Sequence, residues 1–159
     1  MTGFTTDFSN VQEFSEFKEQ PYEMIVFDAY EAPNNNGKMR VVIDYVVRND
    51  VQQEKQNAHL WDEQYRQKDT NKYHMGILMG KAKALGIPEG KHYDSFEAFL
   101  NDFKGRVAKV TVKLDEYNGE KRPKARFTNT SDFPSCHHVW KEKNNNLQAT
   151  DLKDDELPF

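Results

Sequence analysis

Two short runs in the second half of the chain place cations at alternate positions. Lys109 and Lys113 alternate with apolar residues in VAKVTVKL, and Lys124 and Arg126 do so in KARF. Strand side chains point alternately to opposite faces, and the Asn118-Gly119 pair between the runs is a hairpin signal. All four cations are then predicted on one face of a two-stranded ribbon. Cross-strand like charges destabilise a sheet, and a phosphate backbone offsets that cost. The alternative is an ordinary solvated face, because Lys and Arg are seldom buried.

Aromatic residues in polar surroundings supply the second ingredient of single-strand binding, since unpaired bases stack on exposed rings. Four residues fit that description, namely Tyr30, Trp61, Tyr65 and Tyr117. Trp61 and Tyr65 lie on the same side of one extended run. Arg40 and Arg48 lie on the polar side of another and are added as candidate DNA ligands. The alternative is that these rings belong to the core.

The last six residues combine acids with an apolar end, in the order Asp154, Asp155, Glu156, Leu157, Pro158 and Phe159. Such a tip can act as a short peptide ligand for a partner protein, because the phenylalanine can fill a pocket on the partner while proline limits the unbound conformations. An ordinary acidic solubilising tail is the alternative and accounts for the acids alone.

Charge is unevenly distributed along the 159 residues. The net charge is −4 overall, but residues 38–126 carry 18 Lys and Arg against 13 Asp and Glu, a net +5. Residues 1–37 carry a net −6 and residues 151–159 a net −3. A basic middle between acidic ends is compatible with a polyanionic partner despite the acidic total.

Catalytic and metal signals are weak. The sequence lacks a P-loop, a GxGxxG motif and an HExxH motif. The run Cys136–His138 lacks a second ligand pair at zinc spacing. The carboxylates Asp28, Glu31 and Asp44 offer oxygen ligands for Mg²⁺, but no motif fixes their geometry. We therefore predict no enzyme, no metal and no cofactor.

Hydrophobic periodicity predicts five strands with two helices between the third and the fourth. The strands cover Tyr22–Glu31, Lys38–Arg48, Asn57–Arg66, Arg106–Glu116 and Lys121–Phe127, and the helices lie within 74–88 and 95–103. The first helix is expected to bury an apolar stripe of Ile77, Leu78, Ala82 and Leu85. Gly86 suits its C-terminal end, and Ser95 can cap the second helix. The predicted fold is mainly β, a five-stranded OB-like barrel with a helical insert, and a two-layer α+β sheet is the competing architecture.

The predicted organisation has three parts. Residues 1–20 form an N-terminal arm with a short amphipathic helix, 21–143 the OB-like domain, and 144–159 a disordered acidic tail. The lone Cys136 excludes an internal disulfide, and neither a signal segment nor an apolar span is visible, so we expect a cytoplasmic protein without membrane contact.

The tip DDELPF resembles the ending of bacterial and phage single-stranded DNA-binding proteins. The opening hairpin, ALGIP and VKLDEYNGEKRPKARF are similar to a phage protein family encoded among replication and recombination functions. The resemblance implies an OB-fold that binds single-stranded DNA without sequence preference. It also implies a tip that recruits a helicase, polymerase or recombinase, action in the host cytoplasm, and a dimer or larger homo-oligomer. A protein-only adaptor and a small metal-dependent nuclease are the alternative functions.

Overall fold

A computed structural model describes residues 17–140, apart from the side chain of Tyr117. This part of the chain contains the five predicted strands, with the two predicted helices between the third and fourth. The elements in chain order are β1 Pro21–Pro33, β2 Met39–Val47, β3 His59–Tyr65, α1 Met75–Ala84, α2 Phe96–Asn101, β4 Val107–Tyr117 and β5 Glu120–Asn129. The expectation of a mainly β fold with a helical insert is confirmed.

The strands form one antiparallel sheet in the order β3-β2-β1-β4-β5. This sheet is open, and the part of the expectation that specified an OB-like barrel is not confirmed by the described chain. The two edge strands nevertheless come into contact. Lys81 of α1 donates to Asp62 of β3 at 2.6 Å and to Thr128 of β5 at 3.5 Å. A side chain, rather than a backbone ladder, therefore links the edges.

One face of the sheet is apolar and packs against the two helices. Alternate residues of β1, β2 and β4 are buried there together with side chains of both helices. They include Tyr22, Met24, Val26, Val41, Ile43, Tyr45, Ala108, Val110, Leu78, Phe99 and Leu100, and Phe103 from the turn after α2 joins them. We call the opposite face of the sheet the outer face.

The helices begin and end where their capping residues predict. Ser95 accepts a hydrogen bond from the backbone N–H of Ala98 at 3.0 Å, and Gly86 adopts φ +85° just after α1, which favours glycine. Ile77 departs from the expected apolar stripe and is exposed. It lies one residue, about 100° of helix rotation, away from the buried stripe that contains Leu78 and Ala82.

Two irregularities change which residues reach the outer face. The β1–β2 register shifts between Val26 and Asp28, so that Phe27 and Asp28 both lie on the outer face. The β4–β5 register shifts at Thr111/Val112, and Arg126 and Phe127 lie together on that face in the same way. Simple alternation does not foresee either shift.

Both predicted ends of the chain lie largely outside the described residues. Of the N-terminal arm, residues 17–20 are described, and Phe17 packs edge-on against Tyr22 with ring centroids 5.2 Å apart. The predicted arm helix and the predicted tail, 144–159, lie outside residues 17–140. Within those residues, no helix is long and apolar enough to span a bilayer.

Candidate nucleic-acid interface

The four predicted cations of β4 and β5 share the outer face. The antiparallel register pairs Lys113 directly with Lys124, while Lys109 lies four residues earlier in β4 and Arg126 occupies the irregularity. The Arg126 guanidinium lies 5.0 Å from the centre of the Phe127 ring. The hairpin turn and alternation predicted this grouping.

Carboxylates accompany most of these cations. The Nζ atoms of Lys113 and Lys124 lie 3.7 and 3.4 Å from the carboxylate of Asp115. Lys109 donates to Asp132 at 2.9 Å, and this hydrogen bond raises the pKa of the lysine. Exposed ion pairs of this kind are weak, so phosphate oxygens compete readily with the carboxylates.

A groove of about 740 Å³ runs between the edge strands β3 and β5. On the β3 side it is lined by Trp61 and Tyr65, which are 53 % and 41 % exposed. On the β5 side it is lined by Arg122 and Lys124. Predicted stacking rings and one of the predicted cations therefore meet in one groove, although they are about 60 residues apart in sequence.

Acidic side chains also line this groove. Glu63, Asp115 and Glu116 do so, and Glu63 lies 3.4 Å from Arg40 Nε. Arg40 is paired with Tyr65 in the β2–β3 register, which places this predicted cation beside the groove. The groove is thus mixed in charge, and its cations have to exchange carboxylate partners to bind a polyanion.

Residues 4–138 match the family described as "Protein of unknown function (DUF669)". The chain belongs to this family. No curated protein matches it. The DUF669 match takes in all five strands, both helices and the groove.

Arg48 is fully buried in this DUF669 chain, contrary to the expectation that it contacts DNA. Its Nε and Nη2 atoms donate to Asp50 at 2.9 and 2.7 Å. Its Nη1 and Nη2 atoms also donate to the carbonyl oxygens of Phe133 and Ser135, at 2.7 and 3.1 Å. Alternation alone placed Arg48 on a polar face, but the chain after β5 covers that end of the sheet.

Of the remaining predicted site residues, Tyr30 lies outside the groove and the side chains of the others are not described. Tyr30 is exposed on the outer face of β1, opposite Val42, and lines a separate cavity of about 440 Å³. Tyr117 ends β4, and its side chain is not described. The predicted partner-binding tip, Asp154 to Phe159, lies outside the described residues.

The structure adds residues that the sequence reasoning missed. Arg122 extends the alternation of Lys124 by one step, so the same pattern would have found it. Phe127 reaches the outer face because of the β4–β5 irregularity. Phe27 and Trp140 are more than a hundred residues apart in sequence, yet their ring centroids lie 5.5 Å apart. Local patterns carry no signal for that contact.

The carboxylates considered for Mg²⁺ each have a different partner. Asp28 lies 3.3 Å from Lys104 Nζ, Glu31 accepts a hydrogen bond from Tyr73, and Asp44 lies 2.6 Å from His59 Nδ1. Burial raises the pKa of Asp44. Across residues 17–140, no three His, Cys, Asp or Glu side chains converge in a way that would hold a metal ion.

Proposed function

We propose that this protein binds single-stranded DNA without sequence preference, along the groove between β3 and β5. The observation that carries the proposal is the groove itself, with Trp61 and Tyr65 on one side and Arg122 and Lys124 on the other. Sequence-independent binders combine a cationic groove for the backbone with rings on which bases stack. Lys109, Lys113 and Arg126 on the outer face of β4 and β5 offer further phosphate ligands beyond the groove.

We propose further that the fold is a partly open, OB-like barrel. Two observations support this architecture: β1 pairs with both β2 and β4, and the edge strands β3 and β5 contact each other. OB-folds are five-stranded, partly open barrels that bind oligonucleotides. A polynucleotide between β3 and β5 would lie where the barrel is not closed by a ladder.

The proposed setting is phage DNA replication or recombination, and it rests on the resemblance of DDELPF to the tips of single-stranded DNA-binding proteins. Acids followed by Leu157, Pro158 and Phe159 suit a partner with an apolar pocket and a basic rim. We propose that this tip recruits a helicase, polymerase or recombinase to DNA that the body has bound.

The deciding experiment is a fluorescence anisotropy titration of the full chain with labelled oligo-dT, with and without Mg²⁺. Binding that weakens between about 50 and 200 mM salt, with the oligonucleotide intact and a matched duplex bound more weakly, supports the proposal. Absence of binding overturns it and leaves the adaptor. Shortening of the oligonucleotide in Mg²⁺ also overturns it and identifies a nuclease.

A protein-only adaptor is the second candidate. The observation that favours it is the exposure of three apolar side chains of α1, namely Met75, Ile77 and Met79. Such residues on a short helix suit a protein partner. The oligo-dT titration separates the two functions, because an adaptor leaves the anisotropy of the oligonucleotide unchanged.

A further inference from the structure

Three consecutive residues after β2 hold the chain that follows β5. We call residues 131–140 the strap. Arg48 donates to two carbonyl oxygens of the strap, and Asp50 accepts from the backbone N–H of His137 at 2.7 Å. Asn49 lies between these residues and binds the far end of the strap. The strap is therefore fixed by specific hydrogen bonds from one short segment.

Asn49 binds the strap immediately before Trp140. Its side-chain amide donates to the carbonyl oxygen of Val139 at 2.7 Å, and its side-chain oxygen accepts from the Val139 N–H at 3.0 Å. Its own backbone N–H donates to His138 Nδ1 at 3.0 Å. This two-way pairing resembles a strand bridge and fixes the backbone from which the Trp140 ring projects.

Trp140 completes a continuous row of four rings. Its ring centroid lies 5.5 Å from that of Phe27, Phe27 lies 5.6 Å from His59, and His59 stacks on Trp61 at 5.3 Å with planes 13° apart. Asp44 holds the His59 ring through its 2.6 Å contact with Nδ1. We call Trp140, Phe27, His59 and Trp61 the ring row. It leads from the groove across the outer face of the sheet to the strap.

Phe27 and Trp140, the half of the ring row that is distant from the groove, are not fully buried. Phe27 is 41 % exposed because the β1 irregularity turns it to the outer face, and Trp140 is only partly buried. Rings at this spacing, left open on one side, offer flat surfaces to which further rings can bind. If one base of a strand stacks on Trp61, the neighbouring bases of that strand are positioned to contact the other rings of the ring row.

We propose that Trp140 and Phe27 form a second base-binding site, which the strap positions and which takes unpaired bases of the strand held in the groove. This inference rests on the proposed function. Asn49 is a positioning residue in it, because it acts on the site only through the strap. The bound strand would then cover the outer face of β1 and β3 in addition to the groove.

The test compares oligo-dT of about 6 and about 15 nucleotides, which bracket much of the range of site sizes of an OB fold. Trp140→Ala is expected to weaken binding of the longer oligonucleotide by roughly tenfold, the effect of one lost base stack, and to leave the shorter one unchanged. Trp140→Tyr should recover most of the loss. Phe133→Ala, which removes an exposed ring of the strap outside the ring row, should change neither affinity.

A direct readout uses Trp61→Phe, which leaves Trp140 as the sole tryptophan of the chain. We expect the longer oligonucleotide to quench its fluorescence. Asn49→Ala should reduce that quenching and the long-oligonucleotide affinity together, while the short oligonucleotide binds as before.

Two different failures are distinguishable. If the unmodified protein binds oligo-dT but Trp140→Ala binds both lengths normally and Trp140 is not quenched, the second site is overturned and the groove proposal stands. If the unmodified protein binds neither length, the proposed function itself has failed. If the Trp140→Ala variant does not fold, the quenching experiment with Trp61→Phe decides the question, because that variant retains the Trp140 ring.

Discussion

Lys113 and Lys124 lie directly opposite each other across β4 and β5, and both ammonium groups approach the carboxylate of Asp115. A cross-strand pair of like charges costs stability, and the shared carboxylate reduces that cost. If phosphate binds here, the two lysines increase the affinity for DNA and lower the free energy of unfolding. Binding and stability are therefore expected to change in opposite directions at these positions.

Replacing both lysines tests this opposition. Lys113→Ala with Lys124→Ala should weaken oligo-dT binding and lower the slope of log affinity against log salt by about 1.4, or about 0.7 for each phosphate contact. The free energy of unfolding in urea should stay level or rise by a few tenths of a kcal/mol. Lys83→Ala, on α1 away from the sheet edge, is the matched control. An unaltered salt slope would place the DNA elsewhere.

Asp115→Asn should have the opposite effect on binding. It removes the carboxylate that both lysines approach, so oligo-dT affinity at low salt should rise by about two- to fivefold, equivalent to about 0.5–1 kcal/mol. Anisotropy titration measures the change, with Glu89→Gln in the α1–α2 loop as control. Equal or weaker binding by Asp115→Asn would show that the two lysines do not contact phosphate.

The rings of the groove are expected to contribute stacking energy. Trp61→Ala or Tyr65→Ala should each cost about 1–3 kcal/mol of oligonucleotide binding, whereas Trp61→Phe should keep most of it. Both rings are substantially exposed, so melting temperatures should change little. Phe133→Ala provides an exposed-ring control. If Trp61→Ala and Tyr65→Ala bind like the unmodified protein, bases do not stack in the groove.

The Arg48 network predicts a specific loss of stability in acid. The hydrogen bonds from Arg48 lower the pKa of Asp50 from 3.8 to about 2. A carboxyl whose pKa is lowered by folding stabilises the protein above its ordinary pKa, and that contribution is lost as the pH falls from about 4 to 2. Asp50→Asn should therefore flatten the fall in unfolding free energy over this range. Asp132→Asn, at an exposed position, should not.

Arg48→Ala is expected to be more damaging than loss of one carboxylate. It leaves Glu23 and Asp50 without their buried cation and removes the hydrogen bonds of Arg48 to the strap, at a cost of about 3–5 kcal/mol at neutral pH. Urea denaturation measures this cost. Stability close to that of the unmodified chain would show that the network is dispensable.

Removal of residues 151–159 tests the acidic tail. It changes the net charge from −4 to −1 and takes away a tethered polyanion, which we propose competes with DNA at high effective concentration. Oligo-dT affinity should therefore rise at low salt and change little at high salt, where screening is strong. Binding of a partner protein should be abolished. Unchanged affinity at low salt would eliminate the competition, and retained partner binding would eliminate recruitment by the tip.

Elements with a strong local pattern were predictable from sequence. The alternation in VAKVTVKL and the Asn118-Gly119 turn predicted β4, β5 and the shared face of their cations, because strand periodicity and turn chemistry are local properties. Ser95 likewise marked the start of α2. These features depend on neighbours within a few residues.

Features that depend on distant parts of the chain were not predictable. Alternation assigned Arg48 to the surface, but the strap, more than 80 residues later, buries it. The register shift that turns Phe27 outward has no local marker in YEMIVFDAYE. The groove forms only because the curved sheet brings β3 close to β5, and single-strand periodicity does not report curvature.

The link between β3 and β5 has a consequence for how a ligand enters. Within residues 17–140 these strands approach each other and are bridged by the Lys81 side chain, but no backbone ladder joins them. A polymer that binds along a groove of this kind can enter from the side, so no free end has to pass through the protein. Covalently closed circles of single-stranded DNA should accordingly load as fast as linear strands of equal length.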